Sequence, residues 1–282
     1  MGERLWRIGN EVNDLSRCGL IMGVLNVTPD SFSDGGQYRA PEKAVEHGLA
    51  MAEAGADIID VGGESTRPRA EPVSLEEEML RVIPVIEQLR AQTTTMISID
   101  TSKSKVADAA IDAGAGIVND VTGGRGDTEM LNLVRRRGVG LIVMHMQGTP
   151  QTMQKEPRYN DVVSEVADFF RQQYTCALEC GVDPMAIAFD PGIGFGKTLA
   201  HNLALLANLE RLRVDDRPLA IGVSRKSFLG RITGSTDMAS RVAATGALTA
   251  LLRTRGAEIF RVHDVGENVA ALRAAEAVLM TS

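Results

Sequence analysis

Cysteine, aromatic residues and long apolar runs are scarce in this chain of 282 residues, which has three cysteines, one tryptophan and 4% aromatic residues. Cys18, Cys176 and Cys180 form no disulfide framework, and no histidine or cysteine cluster near them completes a zinc site. No apolar run approaches the roughly 18 residues of a membrane span. Residues 1–10 carry charges and lack the apolar segment of a signal peptide. We therefore expect a soluble, cytoplasmic protein.

An excess of positive charge is also missing. The 30 basic and 37 acidic residues give a net charge of −7, which argues against broad binding to nucleic acid or to an anionic membrane. A hydrophobic content of 44% and a charged content of 24% are typical of globular proteins. The length suits one or two ordinary domains, or a single barrel of about 250 residues.

What the chain does contain is an alternation of short apolar runs and amphipathic helical stretches. Several runs are apolar at nearly every position, which is typical of parallel strands buried on both faces. The eight predicted strands span residues 20–26, 57–61, 96–100, 116–120, 139–145, 186–190, 219–224 and 258–263. The predicted helices span residues 41–54, 74–91, 104–113, 127–137, 161–180, 203–213, 239–255 and 266–280.

Eight such units predict the α/β class and a (β/α)8 TIM barrel with a short N-terminal extension. We expect residues 1–19 to form the extension, packed on the barrel, and residues 20–282 to form the barrel domain. A doubly wound open sheet would also alternate strands and helices. The count of eight and the absence of a G-x-G-x-x-G segment after the first strand disfavour that sheet.

Every predicted strand ends in a polar or charged side chain. In a (β/α)8 barrel the C-terminal strand ends meet at one mouth, where the site lies, so we expect these groups to lie close together. Two carboxylates and an amide, those of Asp100, Asp190 and Asn119, suit a flat heterocycle rich in N–H donors. Basic side chains suit phosphate oxygens, and the candidates are Arg67, Arg261 and His263.

The segment Asn-Val-Thr-Pro-Asp-Ser-Phe-Ser-Asp-Gly-Gly, residues 26–36, follows directly on the first predicted strand. It places an amide, two carboxylates, three hydroxyls and an aromatic ring in eleven residues, which is more than a turn requires. Asn26 with nearby oxygens is a candidate to help hold Mg2+, which takes few protein ligands and keeps its waters. Lys226, at another strand end, suits a carbonyl, an anion or a Schiff base.

Further segments stand in order along the chain. They include Asp-Val-Gly-Gly-Glu-Ser-Thr-Arg-Pro at 60–68, Asp-Pro-Gly-Ile-Gly-Phe-Gly-Lys at 190–197, Gly-Val-Ser-Arg-Lys-Ser-Phe-Leu-Gly at 222–230 and Arg-Val-His-Asp-Val at 261–265. Together with residues 22–36, they resemble the dihydropteroate synthases of the pterin-binding enzyme family. The resemblance extends from about residue 20 to the C-terminus, with no departure at a functional position.

This resemblance implies a transferase of folate biosynthesis. Such an enzyme condenses (7,8-dihydropterin-6-yl)methyl diphosphate with 4-aminobenzoate and yields 7,8-dihydropteroate and diphosphate. The resemblance also implies Mg2+ as the cofactor, sulfonamides as inhibitors that mimic 4-aminobenzoate, and a homodimer. Because a highly charged group must leave, stabilisation of the departing charge is central to such a reaction.

The resemblance assigns roles to individual residues. Asp34, Lys226 and Arg261 are expected to act in catalysis, and Asn26 is expected to bind the metal. The expected pterin contacts are Asp100, Asn119, Met144, Asp190, Gly222, Lys226 and Arg261, although Met144 and Gly222 are equally compatible with ordinary packing. The expected diphosphate contacts are Asn26, Thr66, Arg67, Arg261 and His263. The expected 4-aminobenzoate contacts are Phe32, Pro68, Phe195, Lys226 and Ser227.

Three other functions remain open. A methyltetrahydrofolate-binding methyltransferase barrel shares the pterin residues, but it needs no diphosphate or 4-aminobenzoate site. An aldolase with Lys226 as its Schiff-base lysine leaves the adjacent Arg225 without a clear role. The third is a non-catalytic barrel retained as a pterin-binding or scaffold partner. It also remains open whether His145, Asp60 and Glu64 touch substrate or orient their neighbours.

Overall fold

Eight parallel strands form a sheet that curves until its two edges meet. The structure is a computed structural model that describes residues 3–28, 40–65 and 70–281. Within these residues the strands are β1 (Leu5–Ile8), β2 (Glu11–Asp14), β3 (Leu20–Asn26), β4 (Ile58–Gly62), β5 (Met96–Asp100), β6 (Ile117–Asp120), β7 (Gly140–Met144), β8 (Ile187–Asp190), β9 (Ala220–Ile221) and β10 (Ile259–Val262).

The parallel sheet follows the order β8-β7-β6-β5-β4-β3-β10-β9. Its edges meet where Phe189 of β8 pairs in parallel with Leu219, and the Phe189 amide donates to the Pro218 carbonyl at 2.9 Å. The predicted (β/α)8 barrel is therefore confirmed. The seventh barrel strand, β9, has two residues instead of the six predicted at 219–224, because the backbone turns after it and the Lys226 amide donates to the Val223 carbonyl at 3.3 Å.

Helices cover the outside of the sheet. Residues 203–213, predicted as one helix, are divided, because Asn208 adopts φ −126° and its side chain binds the Ala204 carbonyl at 2.8 Å. A single 3-10 turn, Leu209–Leu212, follows. In the described residues the α-helices are α1 (Ala40–Glu53), α2 (Leu75–Gln92), α3 (Ser104–Asp112), α4 (Met130–Arg137), α5 (Val162–Glu179), α6 (Leu199–Ala207), α7 (Ser227–Thr233), α8 (Met238–Thr254) and α9 (Val265–Leu279).

The antiparallel hairpin β1–β2 lies against the N-terminal end of the barrel, opposite the predicted site. Trp6 is fully buried, and its Nε1 donates to the Ala186 carbonyl, just before β8, at 2.9 Å. Trp6 belongs to one apolar cluster with side chains of the barrel interior, including Ile117 and Ile142. The indole thus combines apolar packing with a satisfied N–H donor. The division of the chain at residue 19 stays a prediction.

The main core lies between the strands and the helices, where side chains such as Ile59, Ile86 and Phe260 are fully or almost fully buried. None of the helices in the described ranges is long and apolar enough to cross a membrane. This packing supports the strand ends rigidly, so side chains at the barrel mouth are held by a close-packed frame.

Candidate active site

A cavity of about 1540 Å3 opens at the carboxyl ends of the strands. Asp100 and Asp190 end β5 and β8, and Asn119 lies next to the end of β6. All three side chains are more than nine-tenths buried. Six of the predicted residues line the cavity itself: Asn26, Phe195, Lys226, Ser227, Arg261 and His263.

Arg261 of β10 binds two carboxylates at the centre of this site. Its Nε donates to Asp60 Oδ2 at 2.6 Å, and its Nη2 donates to Asp100 Oδ2 at 2.7 Å. Burial raises the pKa of Asp100 to about 7, and the positive charge of Arg261 opposes this rise. Because charge-assisted hydrogen bonds are directional, the two carboxylates fix the plane of the guanidinium.

Lys226 lies between an aromatic ring and a backbone carbonyl. Its Nζ is 4.7 Å from the centre of the Phe195 ring, a cation–π contact, and it donates to the Ile193 carbonyl. Desolvation lowers the pKa of Lys226 to about 8, and Asp190 opposes this shift. The ammonium group therefore contacts the ring predicted to contact 4-aminobenzoate and interacts electrostatically with a carboxylate predicted to contact the pterin.

Gly222 lies beside these charged groups. A Cβ atom added there would be 3.8 Å from Lys226 Nζ and 4.0 Å from Asp190 Oδ2. Burial raises the pKa of Asp190, and the Lys226 charge opposes the rise. The Asp190 carboxylate also accepts the Gly192 amide through Oδ1 at 2.7 Å. Met144, in contrast, packs with Met146 and other apolar side chains, so its expected pterin contact stays a prediction.

The loop after β8 lies flat against the segment after β7. Gly192, Gly194 and Gly196 all have positive φ, at 63°, 86° and 65°. A Cβ on Gly192 would stand 2.0 Å from the His145 carbonyl oxygen, and one on Gly196 would stand 2.6 Å from that of Gln147. Glycine is required at these positions because both the backbone conformation and the close approach exclude a side chain.

We expect Gly192→Ala to lower the free energy of unfolding by about 3 kcal/mol, because overpacking adds to the strain of positive φ. Gly138→Ala is the matched control, since Gly138 has the same φ of 63° and nothing within 4 Å of an added Cβ. Its expected loss is about 1 kcal/mol. Urea denaturation of the two variants measures the difference, and equal losses would contradict the steric argument.

A sequence profile described as pterin binding enzyme matches residues 22–263 of the chain. The chain belongs to the pterin-binding enzyme family. It is 45% identical over 258 residues to a dihydropteroate synthase of Synechocystis sp., which covers 92% of this chain and 89% of that relative. The predicted family resemblance is confirmed, and the relatives are enzymes.

Solved structures of pterin-binding enzymes share the fold. The dihydropteroate synthase of Xanthomonas albilineans with 4-aminobenzoic acid matches with a TM-score of 0.91 and 45% identity over 99% of both chains. The same enzyme in complex with 7,8-dihydropteroate matches with a TM-score of 0.87 and 43% identity over 98% of both chains. The Yersinia pestis enzyme in a sulfonamide drug complex matches at 0.90 and 40%, over 98% of this chain and 99% of that one.

At the wall of the cavity in this family member, His145 forms a buried pair with Lys197, a residue that the sequence did not single out. Lys197 is almost fully buried, and its Nζ lies 3.0 Å from His145 Nδ1 and 3.0 Å from the Phe195 carbonyl oxygen. Burial lowers the pKa of Lys197 to about 7 and that of His145 to about 3. The pair joins the segments after β7 and β8.

The ends of β9 and β10 are tied together by two adjacent contacts. The Ser224 Oγ lies 3.0 Å from His263 Nδ1 and accepts the His263 amide at 3.1 Å. Both carboxylate oxygens of Asp264 bind the Arg225 guanidinium. Arg225 has a φ of 57°, a conformation uncommon for a side chain other than glycine. Arg225 therefore has a structural partner, and its strained backbone places Lys226 beside the cavity.

Two carboxylates near the strand ends bind neighbouring protein groups. Asp120 accepts the amides of Thr122 and Gly124, each at 2.8 Å, and so holds the turn after β6. Glu64, which follows β4, binds Lys103, and Lys103 also binds the fully buried Glu78. The spacing of these residues in the sequence gave no signal for the Lys103 contact.

Five predicted site residues lie outside the described residues: Phe32, Asp34, Thr66, Arg67 and Pro68. Their expected roles stay predictions. The described part of the chain therefore carries the pterin side of the predicted site and part of the diphosphate and 4-aminobenzoate sides.

The side chains around Asn26 suit a metal ion that is coordinated mainly by the substrate and by water. Within the described ranges no group of three histidine, cysteine, aspartate or glutamate side chains is placed to hold a metal ion by itself. Asn26 ends β3, is partly exposed and lines the cavity with Arg261 and His263. A single amide oxygen fits Mg2+ that is completed by phosphate oxygens and water.

Proposed function

We propose that the protein is a dihydropteroate synthase that joins (7,8-dihydropterin-6-yl)methyl diphosphate to 4-aminobenzoate. The observation that carries this proposal is the convergence of Asp100, Asn119, Asp190, Lys226 and Arg261 at one barrel mouth. Relatives at 45% identity with the same name, and a solved relative that contains dihydropteroate, support it.

In the proposed complex the pterin lies over Gly222. Asp190 accepts hydrogen bonds from the amino-pyrimidine edge of the ring, while Asn119 and Lys226 supply donors. The face of Arg261 stacks on the ring, because its edge is already bound by Asp60 and Asp100. A pterin that is held on several sides keeps its methylene carbon at one place.

The reaction begins with loss of diphosphate. The bond between the methylene carbon and the diphosphate oxygen breaks, and the electron pair leaves with the oxygen. His263 donates to the leaving group from the end of β10, and Asn26 would hold Mg2+, which supplies charge neutralisation when bound. The cation left on the pterin is next to Asp100 and Asp190, whose negative charges stabilise it.

The arylamine then attacks from the side of Phe195. Its nitrogen lone pair forms the new bond to the methylene carbon, and the nitrogen releases one proton to solvent or to the departing diphosphate. Phe195 packs on the aromatic ring, and Lys226 and Ser227 bind the carboxylate. Sulfonamides would occupy this same place, and the solved structure of the Yersinia pestis relative is of a sulfonamide drug complex.

The methyltransferase alternative is not favoured. Relatives at about 45% identity are dihydropteroate synthases, and the solved relatives include one with 4-aminobenzoic acid, for which a methyltransferase has no use. Location in the cytoplasm stays a prediction, and so does the homodimer. The helices after the sixth to eighth barrel strands are the candidates for the dimer contact, and they carry exposed apolar side chains such as Leu203 on α6, Leu251 on α8 and Val278 on α9.

The direct test is an assay with both substrates and Mg2+ in which diphosphate and dihydropteroate are measured separately. We expect equal amounts of the two products and competition between a sulfonamide and 4-aminobenzoate. Diphosphate release in the absence of 4-aminobenzoate would support departure before attack. The proposal is wrong if purified, folded protein with both substrates forms no dihydropteroate.

A further inference from the structure

Asp60 of β4 is fully buried inside the barrel, with 0% of its surface exposed. One of its oxygens, Oδ2, accepts two hydrogen bonds. The first comes from Arg261 Nε at 2.6 Å and the second from Asn119 Nδ2 at 3.0 Å. Both partners are predicted pterin contacts, whereas Asp60 itself is beyond the reach of a ligand.

The two partners come from opposite sides of Asp60. In the sheet order, β10 lies two strands from β4 in one direction and β6 lies two strands away in the other. A single carboxylate oxygen therefore joins side chains that the backbone pairing of the sheet does not bring together. The bond at Nε also restricts rotation of the guanidinium, which Asp100 holds at Nη2.

A contribution to the stability of the fold does not explain why a carboxylate is buried at this position. A buried charge is costly to desolvate, and well-packed apolar side chains often serve the fold as well or better. In the described residues the second oxygen, Oδ1, has no hydrogen-bond partner, and neither has Ser98 Oγ. Ser98 lies opposite Asp60 in the β4–β5 register. Burial of the carboxylate therefore costs free energy of desolvation, and the two hydrogen bonds of Oδ2 have to offset that cost.

We propose that Asp60 is a positioning residue that sets the orientation of Arg261 and Asn119 for the pterin ring. This inference rests on the proposed function, since it assigns the pterin to that site. Asp60 acts through Arg261 and Asn119 and does not touch substrate. Its removal is expected to weaken pterin binding and to leave the 4-aminobenzoate pocket, on the side of Phe195, unaffected.

The test uses Asp60→Ala and Asp60→Asn, with Ser98→Ala as the matched control. Asp60→Ala loses both bonds, and KM for the pterin diphosphate is expected to rise roughly 10- to 100-fold. In Asp60→Asn the amide oxygen still accepts both bonds without the charge, so a rise of about fivefold is expected. Ser98→Ala removes a neighbouring buried polar atom that binds neither partner, and its kinetics should match those of the wild type. KM for 4-aminobenzoate should stay within about twofold in all three variants.

Calorimetric titration with 6-hydroxymethylpterin gives a second measurement that does not depend on turnover. Wild-type pterin affinity in folded Asp60→Asn or Asp60→Ala would overturn the inference, as would an equal rise of KM for both substrates. A change limited to the melting temperature would indicate a role in the fold alone. If Asp60→Ala does not fold, Asp60→Asn decides, and a pterin KM within twofold of wild type counts against the proposal.

Absence of dihydropteroate from the wild type would overturn the function, whereas the pterin titrations would still decide the role of Asp60.

Discussion

Replacement of Lys226 by alanine is expected to lower kcat/KM by about 10³-fold and to raise KM for both substrates. The ammonium group lies 4.7 Å from the Phe195 ring and close to Gly222 and Asp190, so it borders both predicted pockets. Its loss also removes the largest of the positive charges that oppose the raised pKa of the buried Asp190 carboxylate. A 10³-fold loss corresponds to about 4 kcal/mol of transition-state stabilisation, which we assign to the ammonium group's contribution to both pockets.

Steady-state kinetics with each substrate varied in turn measure this effect. Lys105→Ala is the control, since Lys105 is an exposed lysine on α3, and its parameters should equal those of the wild type. Lys226→Arg keeps a charge but not the compact ammonium group, so it should recover only part of the activity. If Lys226→Ala raised KM for one substrate alone, the idea that the two pockets share this residue would be wrong.

The same lysine predicts a pH dependence. The pKa of Lys226 is lowered to about 8, so the group is charged below pH 8 and loses its proton as the pH rises through that value. We expect kcat/KM of the wild type to fall above pH 8 for this reason. In Lys226→Arg the fall should be absent, because a guanidinium stays protonated throughout the range.

The position of the site was predictable from the sequence because parallel strands place their C-terminal ends at one edge. Asp100, Asn119, Asp190 and Arg261 could be selected on that basis alone, each at the polar end of an apolar run. This reasoning depends on strand direction and not on contacts, and strand direction is implied by the alternation with helices. The barrel and the residues at its mouth therefore followed from the pattern of the chain.

The partners of those residues were not predictable in the same way. Lys197 and His145 are 52 positions apart in the sequence. They meet because Gly192 and Gly196, which have no side chain, let the loop after β8 lie directly on the backbone after β7. The sequence shows the glycines but not the surface against which they lie. For Asp60 the sequence left direct contact and orientation equally open, and its complete burial favours orientation of its neighbours.

The charges at the barrel mouth lead to the second large effect. Asp60 and Asp100 bind Arg261, and Asp264 binds Arg225. Lys226 has Asp190 as its neighbour. These three positive groups therefore each have a carboxylate neighbour, whereas a diphosphate brings several negative charges of its own. An added divalent cation would restore the balance, and Asn26 is the described residue that we propose as its protein ligand.

Removal of Mg2+ is expected to abolish turnover almost completely. The measurement is diphosphate release after dialysis against a chelator, followed by titration with Mg2+.

In Asn26→Ala we expect the Mg2+ concentration for half-maximal activity to rise about tenfold, because one oxygen ligand, worth about 1.4 kcal/mol, is lost. Asn160→Ala, at an exposed asparagine ahead of α5, is the control and should titrate as the wild type does. Full activity in chelator would exclude the metal, and an unchanged Mg2+ titration in Asn26→Ala would exclude Asn26 as its ligand. The charge argument predicts loss of activity in chelator even when the pterin still binds, since we propose that Asp190 and Asn119 contact the ring and not the diphosphate.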